Sequence, residues 1–207
     1  MKAEKTLQEH TFDDVTYVHP TWNEMGTYTF ELAKQILASD KTFDRTVALA
    51  KGGWTWARTL VDYLGIDGLS SMRIQAYKDI WKMEKPQIIQ PLTDPVFDLN
   101  ILLFDEVIDK GATIETAITN LRSMGVKSIT TAALCYKRTS SIRPDFYAFS
   151  TSAWVVFPHE IREFIEQSYK TWKSDRKSDS EITKRLLNIG LPEEQVRFFV
   201  EKMTREE

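Results

Sequence analysis

The distribution of apolar and polar residues predicts that β-strands alternate with α-helices along most of the chain. Short apolar stretches of strand length recur, and segments with apolar residues at helical spacing lie between them. The predicted strands cover residues 15–18, 45–50, 72–77, 101–104, 128–136, 145–149 and 153–157. This order predicts an α/β fold with a mostly parallel twisted sheet that is flanked by helices.

Apolar residues three and four positions apart predict the helices. The predicted helices cover residues 22–38, 54–64, 114–124, 159–170, 181–188 and 192–203. Thr21 is a plausible cap of the first helix, and Gly65 and Gly125 end the second and third. The second helix is expected to turn one apolar face inward, formed by Trp54, Ala57, Leu60, Val61 and Leu64.

The link from residue 78 to residue 98 has no regular period and contains Pro86, Pro91 and Pro95. Links of this length without secondary structure are uncommon inside a compact domain and are often lids over a binding site. We therefore expect this link to be mobile without ligand and to close over a pocket when ligand binds.

The composition is that of an ordinary soluble globular protein. The chain has 207 residues, 42% of them hydrophobic and 28% charged, and a net charge of −3. That charge argues against general binding to nucleic acids or to membrane surfaces. No apolar stretch predicts a membrane span or a signal peptide. The single cysteine, Cys135, cannot form an internal disulfide and lies in an apolar run, which favours a core residue in a cytoplasmic protein.

Charged and polar side chains follow several predicted strands at the point where each strand ends. Ligands of parallel α/β sheets bind beyond the carboxyl ends of the strands, so these positions form the candidate site. They include Lys51, Tyr77, Asp105, Glu106, Asp109 and Lys137. No spacing of histidine or cysteine predicts a zinc site.

Residues 101–113, with the sequence ILLFDEVIDKGAT, are the most informative stretch. Four apolar residues predict a strand buried on both faces, and Asp105 and Glu106 follow where it ends. A short turn of small residues then leads into helical spacing from Ile114, so the turn meets a helix N-terminus. Backbone N–H groups and the helix dipole favour a bound phosphate there. The alternative is an ordinary strand–helix turn with a solvated Asp–Glu pair.

This stretch resembles the phosphoribosyl pyrophosphate binding motif of the type I phosphoribosyltransferases. In that family four apolar residues precede two acids, an apolar pair, then Asp, Thr or Ala, and finally Thr-Gly-x-Thr. The chain has ILLF-DE-VI-D-KGAT, with Lys110 where the family usually has threonine. The resemblance covers roughly residues 15–165. It implies a phosphoribosyltransferase domain at 1–165 and a C-terminal helical extension at 166–207.

The resemblance implies a role for each part of the motif. Asp105 and Glu106 would accept hydrogen bonds from the ribose hydroxyls and hold Mg²⁺. The 5′-phosphate would lie against the backbone of Asp109, Lys110, Gly111, Ala112 and Thr113. Asp109 would also exchange a proton with purine N7, because family members that act on 6-oxopurines usually carry Asp at this position.

A second loop, Lys51-Gly52-Gly53, follows another predicted strand. Glycines let a backbone approach an anion closely, and a lysine adds positive charge. In the resembled family this loop binds pyrophosphate, often through a cis peptide, which would fall between Ala50 and Lys51. Arg162 would be a further, weaker pyrophosphate contact. The alternative is a turn that the glycines merely loosen.

Two later segments resemble the base-binding parts of the 6-oxopurine branches. The segment LCYKRT with PDF further on resembles the hypoxanthine-guanine branch, and WVVFPHE resembles the xanthine-guanine branch. Lys137 would donate to purine O6, Trp154 would stack on the base, and Val155 would offer backbone groups to its edge. Glu160 would approach a second Mg²⁺. The alternatives are a surface lysine for Lys137 and core packing for Trp154.

The resemblance therefore predicts a homodimeric or larger phosphoribosyltransferase of purine salvage. It would combine phosphoribosyl pyrophosphate with hypoxanthine, guanine or xanthine, using Mg²⁺, and release a nucleoside 5′-monophosphate and pyrophosphate. Two alternatives stay open. One is a non-catalytic protein that senses phosphoribosyl pyrophosphate or a nucleotide, and the other is an enzyme of this class that uses a non-purine base.

Overall fold

The computed structural model describes residues 7–75, 78–79, 82–83 and 86–206. The strands are β1 (Glu9–Phe12), β2 (Val15–Val18), β3 (Arg45–Ala50), β4 (Gly68–Gln75), β5 (Lys78–Asp79), β6 (Lys82–Met83), β7 (Gln87–Gln90), β8 (Asn100–Ile108), β9 (Ser128–Tyr136), β10 (Phe146–Ser150) and β11 (Trp154–Val155). The helices are α1 (Trp22–Leu37), α2 (Gly52–Leu64), α3 (Ala112–Ser123), α4 (Ile161–Ser174), α5 (Asp179–Asn188) and α6 (Glu193–Glu206).

The chain divides into two compact units. The sheet unit is Met25–Ser152, and the terminal unit combines the residues up to Glu24 with those from Ala153 onward. None of the helices within the described ranges has both the length and the apolar character that a bilayer crossing needs.

The sheet unit is built on six strands in the order β10-β9-β8-β3-β4-β7. All neighbours pair in parallel except β7, which runs antiparallel to β4. Residues 101–104 of β8 are fully buried, as expected for a parallel strand covered on both faces. Helix α3 packs on the sheet through Ile114, Ala117 and Leu121. The predicted α/β fold, with its mostly parallel sheet and its C-terminal helices, is confirmed.

The buried face of α2 differs from the prediction. Trp54 is 44% exposed, whereas Trp56 is only 5% exposed. The helix begins at Gly52, and its buried stripe consists of Gly53, Trp56, Ala57, Leu60 and Val61. These positions follow the i, i+3, i+4, i+7 and i+8 spacing of one helical face, and Trp54 lies beside that face.

The expectation of an unstructured link from residue 78 to residue 98 is wrong at two places. Residues 78–79 and 82–83 pair as the antiparallel strands β5 and β6. Residues 87–90 form β7 at the edge of the sheet, and Leu92 and Val96 beyond it are buried in the core. β7 is a four-residue edge strand with no alternation of apolar and polar residues, so its sequence carries little strand signal. Tyr77 and much of the expected lid before Pro86 lie outside the described residues.

The terminal unit combines a three-stranded sheet, ordered β1-β2-β11, with helices α4, α5 and α6. Its core contains Tyr17 of β2, Phe164 and Trp172 of α4, Leu186 of α5 and Val200 of α6. The N-terminal hairpin and the C-terminal helices therefore share one hydrophobic core. β1 escaped prediction because its residues, Glu-His-Thr-Phe, are mostly polar.

Arg185 links α5 to the N-terminal hairpin. The Arg185 guanidinium donates to Asp13 Oδ2 at 2.5 Å and to Glu181 Oε1 at 3.0 Å. The hydrogen bond to Asp13 holds the pKa of that carboxyl below its usual value. The guanidinium carbon of Arg185 also lies 5.3 Å from the ring centroids of Phe12 and Trp172. The domain boundary near residue 165 stays a prediction, and this position falls inside α4.

Candidate functional site

Three neighbouring parallel strands end beside one another in the sheet unit. β3 ends at Ala50, β8 at Ile108 and β9 at Tyr136, and β8 lies between the other two. Lys51, Asp109 and Lys137 are the residues that follow these ends directly. The structure thus brings the three loops to the carboxyl edge of the sheet, where α/β folds bind ligands.

The loop after β3 lies directly against the two acids of β8. The peptide between Ala50 and Lys51 is cis, as the resemblance implies. A Cβ atom at Gly52 would lie 1.5 Å from Glu106 Oε1, and one at Gly53 would lie 3.0 Å from the Cα of Asp105. Only glycines leave room for this contact, so they do more here than loosen a turn.

The two acids supply the kind of oxygen donors that a magnesium ion takes. Asp105 Oδ1 accepts a hydrogen bond from the Glu106 backbone N–H at 2.8 Å, which orients the Asp105 carboxylate. Glu106 is 5% exposed, and its carboxylate lies directly beside Gly52 at the start of α2. Two hard oxygen ligands beside a glycine cradle fit Mg²⁺. The alternative of a solvated Asp–Glu pair does not fit, because Glu106 is buried and Asp105 is only partly exposed.

The loop after β8 leads into α3, whose N-cap residue, Gly111, makes no side-chain hydrogen bond to the first backbone N–H groups of the helix. Asp109 and Lys110 are exposed, and Gly111 caps α3 with φ at +93°. The first N–H groups of a helix have no partner within the helix, and the helix dipole favours an anion beside them. The loop from Asp109 to Thr113 is therefore suited to a phosphate group.

The loop after β9 carries a buried lysine. Lys137 is 8% exposed, and its backbone N–H donates to Ile108 O at 3.0 Å, which joins it to the end of β8. Burial lowers the pKa of Lys137, while the neighbouring Cys135 and the negative charge of Asp109 act in the opposite direction. Lys137 is therefore not a surface lysine, and it lies within electrostatic reach of Asp109.

Cys135, two residues before Lys137, is fully buried, and burial raises the pKa of its thiol to about 12. Such a thiol carries almost no thiolate near neutral pH, so Cys135 is a core residue, as the sequence predicts.

The predicted base-stacking residues lie in the terminal unit. Trp154 is 51% exposed, which argues against the alternative of core packing. The Val156 N–H donates to Val18 O at 2.8 Å, and Nδ1 of His19 donates to Val156 O at 2.8 Å. Because successive strand residues direct their backbone groups to opposite sides, the N–H and C=O of Val155 point away from β2.

Two further predicted residues, Glu160 and Arg162, lie at the start of α4 in the terminal unit. Glu160 is the residue before α4, and it and His159 offer ligand atoms within 4.8 Å of each other. The Nε of Arg162 donates to Glu166 Oε1 at 2.7 Å, and this bond lowers the pKa of Glu166. Arg162 is thus held in an ion pair on the surface of α4, and its pyrophosphate role stays a prediction.

Two contacts near the predicted site residues could not be predicted from the sequence. One is the bond from His19 to Val156, and the other joins Ser141 to Lys110 across 31 positions of sequence. Neither contact has a local signal, because each joins segments that only the fold brings together.

A model of the phosphoribosyl transferase domain family matches residues 27–163. Hypoxanthine-guanine phosphoribosyltransferase from Schistosoma mansoni is 32% identical in an alignment of 123 residues, and the match covers 52% of this chain and 43% of that protein. The human phosphoribosyltransferase domain-containing protein 1 is 28% identical in an alignment of 161 residues, and the match covers 70% of this chain and 71% of that protein. The chain therefore spans less than half the length of the Schistosoma protein.

Among solved structures, a purine phosphoribosyltransferase from Pyrococcus horikoshii superposes with a TM-score of 0.62 at 32% identity. The superposition covers 69% of this chain and 92% of that one. The family match ends at residue 163, so α5 and α6 lie beyond it.

Proposed function

Since this chain belongs to the phosphoribosyl transferase domain family, we propose that it transfers the 5-phosphoribosyl group of phosphoribosyl pyrophosphate to N9 of a 6-oxopurine. The products are a nucleoside 5′-monophosphate and pyrophosphate. The observation that carries the choice of base is the buried Lys137 within electrostatic reach of Asp109. An ammonium group can donate to O6 of hypoxanthine or guanine, and a carboxylate can exchange a proton at N7 of the same ring.

Each loop at the sheet edge has one task in this reaction. The backbone from Asp109 to Thr113 binds the 5′-phosphate, and Lys51 with Gly52 binds the pyrophosphate group. Asp105 and Glu106 accept hydrogen bonds from the ribose hydroxyls and hold Mg²⁺. The magnesium ion, when bound, neutralises the charge of the leaving pyrophosphate.

The remaining base contacts come from β11. Trp154 stacks on the purine. It lies on β11, the edge strand of the three-stranded sheet of the terminal unit, and is half exposed. Val155 directs an N–H and a C=O toward the edge of the base. Glu160 contributes to a second magnesium, and Arg162 adds a pyrophosphate contact after leaving Glu166. We also propose purine salvage in the cytoplasm, a homo-oligomeric enzyme, and a domain at residues 1–165 with a helical extension at 166–207.

The test is an assay with phosphoribosyl pyrophosphate, Mg²⁺ and one base at a time: hypoxanthine, guanine, xanthine, adenine or orotate. We expect nucleotide formation with the 6-oxopurines and release of one pyrophosphate per nucleotide. Turnover with orotate instead would identify an enzyme with a non-purine base and would refute the proposed substrate.

A second candidate is a protein that binds phosphoribosyl pyrophosphate or a nucleotide without turning it over. One observation in its favour is Lys110, which is exposed in the loop from Asp109 to Thr113, hereafter the phosphate loop, at a position where the family pattern has threonine. The other is the presence of α5 and α6 beyond the family match. Calorimetric binding of phosphoribosyl pyrophosphate without turnover of any base would establish this function in place of the enzyme.

Replacing Gly52 with alanine is expected to weaken pyrophosphate binding roughly tenfold or more. The new methyl group would occupy the place of the Glu106 carboxylate, so Glu106 would have to leave its position beside the loop. The measurement is the affinity for magnesium pyrophosphate by titration calorimetry. Gly26→Ala in α1 is the matched control, because a Cβ atom there meets nothing within 4 Å. Equal affinity in both variants would contradict the proposed contact.

A further inference from the structure

The loop that follows Lys137 holds the phosphate loop from one side. Ser141 donates two hydrogen bonds to the carbonyl oxygen of Lys110: its hydroxyl at 2.9 Å and its backbone N–H at 3.3 Å. One peptide carbonyl thus receives two donors from a residue that lies 31 positions further along the chain.

The position of Ser141 is itself well defined. The Ser140 N–H donates to Lys137 O at 2.9 Å, which closes a turn directly after the base-binding lysine. The Ser140 hydroxyl donates to Ile142 O at 3.0 Å, and Ile142 packs against the core of the sheet unit. Ser141 therefore sits on a short segment that is fixed at both ends.

The two bonds fix the orientation of one peptide group. In a trans peptide the C=O and the N–H point in opposite directions, and the Lys110–Gly111 peptide is trans. Because its carbonyl points at Ser141, the N–H of Gly111 points away from Ser141. This N–H immediately precedes the first N–H groups of α3, which are the groups that suit an anion.

Without these bonds the peptide could turn over. Gly111 has φ at +93°, and a half-turn of the Lys110–Gly111 peptide would bring φ to about −90°, which is also an allowed value. The turned peptide would present a carbonyl oxygen to the phosphate instead of an N–H. A glycine permits both states, so an outside contact has to select between them.

Ser141 also fills the space that a side chain at position 111 would need. A Cβ atom at Gly111 would lie 2.6 Å from the Ser141 hydroxyl oxygen and 3.1 Å from that of Ser140. Gly111 therefore leaves room for the contact with Ser141. In return, Ser141 restricts the rotation of the Lys110–Gly111 peptide that a glycine would otherwise permit.

We propose that Ser141 is a positioning residue, which holds the Lys110–Gly111 peptide so that the Gly111 N–H faces the 5′-phosphate of the substrate. This inference rests on the proposed function for the identity of the ligand. It concerns the 5′-phosphate, because both hydrogen bonds that Ser141 donates go to the phosphate loop. Through the turn at Ser140, the same segment also couples the phosphate loop to Lys137.

Ser141→Ala removes the hydroxyl donor and keeps the backbone N–H. We expect the KM for phosphoribosyl pyrophosphate and the Kd for inosine 5′-monophosphate to rise about three- to tenfold, the usual effect of one lost hydrogen bond. With saturating substrate, kcat should stay within about two-fold of wild type, because the bond acts on binding and not on the chemical step. Ser141→Thr retains a hydroxyl and should restore the affinity.

Two comparisons separate positioning from a general loss of structure. Affinity for magnesium pyrophosphate, which has no 5′-phosphate, should be the same in Ser141→Ala and wild type. Ser123→Ala is the matched control, since the Ser123 hydroxyl also donates to a backbone carbonyl, at the far end of α3. Unchanged affinity for both 5′-phosphate ligands in Ser141→Ala, or an equal loss for pyrophosphate, would overturn the inference. Failure of the proposed function would show in the wild type, as absence of turnover.

Discussion

Replacing Asp109 with asparagine is expected to lower kcat by about 10²–10⁴-fold, the usual contribution of a proton-transfer group. Asparagine has nearly the same size as aspartate but cannot take up a proton from purine N7. The backbone of the phosphate loop keeps its anchor on Ser141, so the affinity for phosphoribosyl pyrophosphate should change little. The measurement is kcat with hypoxanthine, together with the Kd for phosphoribosyl pyrophosphate.

The same variant should move the ionisation of Lys137. Burial lowers the pKa of Lys137, and the charge of Asp109 is one of two influences, with Cys135, that raise it in partial compensation. Removal of that charge should lower the pKa of Lys137 further, so the loss of activity at alkaline pH should begin at a lower pH than in wild type. This shift would distinguish Asp109 from a residue that is needed only for folding.

Asp62→Asn is the matched control for Asp109→Asn. Asp62 lies on α2 in an exposed pair with Arg58, and exposed pairs contribute little to stability. Its kcat should equal that of wild type. Turnover of Asp109→Asn within a few-fold of wild type would remove Asp109 from the reaction.

The central part of the fold could be predicted because its signals are local. Four apolar residues followed by two acids and a small loop define the end of β8 and the start of α3 within one short stretch of chain. The same holds for β3 and β9, whose predicted bounds agree with the structure. Buried parallel strands carry continuous apolar runs, and no other element of the chain needs to be known to recognise them.

The elements that escaped prediction depend on their neighbours. β7 is a strand because the edge of β4 offers it hydrogen bonds, and β1 is a strand because β2 does. The wrong prediction that Trp54 is buried has the same origin. Whether Trp54 or Trp56 is buried depends on which side of α2 packs against the rest of the fold, and the spacing within the helix does not show this. Periodicity describes one segment at a time and cannot supply these partners.

The residues of the candidate site could be predicted from the sequence, but the contacts between residues that are distant in the sequence could not. Lys51, Asp105, Asp109 and Lys137 follow from motifs at strand ends. That Glu106 fills the space beside Gly52 becomes visible only when β3 and β8 are neighbours. Likewise, no feature of the sequence around Ser141 indicates that it bonds to the carbonyl of Lys110.

Replacing Lys137 with alanine is expected to lower kcat/KM for hypoxanthine and guanine roughly 10- to 100-fold, the effect of losing a hydrogen bond from a charged group. The ammonium group has three donors and no acceptor, so it matches a carbonyl O6 and is mismatched to the amino group of adenine. Wild type should therefore use 6-oxopurines well and adenine poorly. The variant should narrow this preference, because it removes both the hydrogen bond to O6 of the 6-oxopurines and the unfavourable contact with the amino group of adenine.

The deciding quantity is the ratio of kcat/KM for hypoxanthine to that for adenine, compared between wild type and Lys137→Ala. Lys41→Ala is the matched control, since the Lys41 ammonium donates to Thr130 near the opposite end of β9 and should leave the ratio unchanged. A site built around a buried donor rejects a ligand that lacks the acceptor far more strongly than shape alone allows. If wild type prefers adenine, or if the ratio is the same in Lys137→Ala, then Lys137 does not contact O6 and the choice of a 6-oxopurine loses its main support.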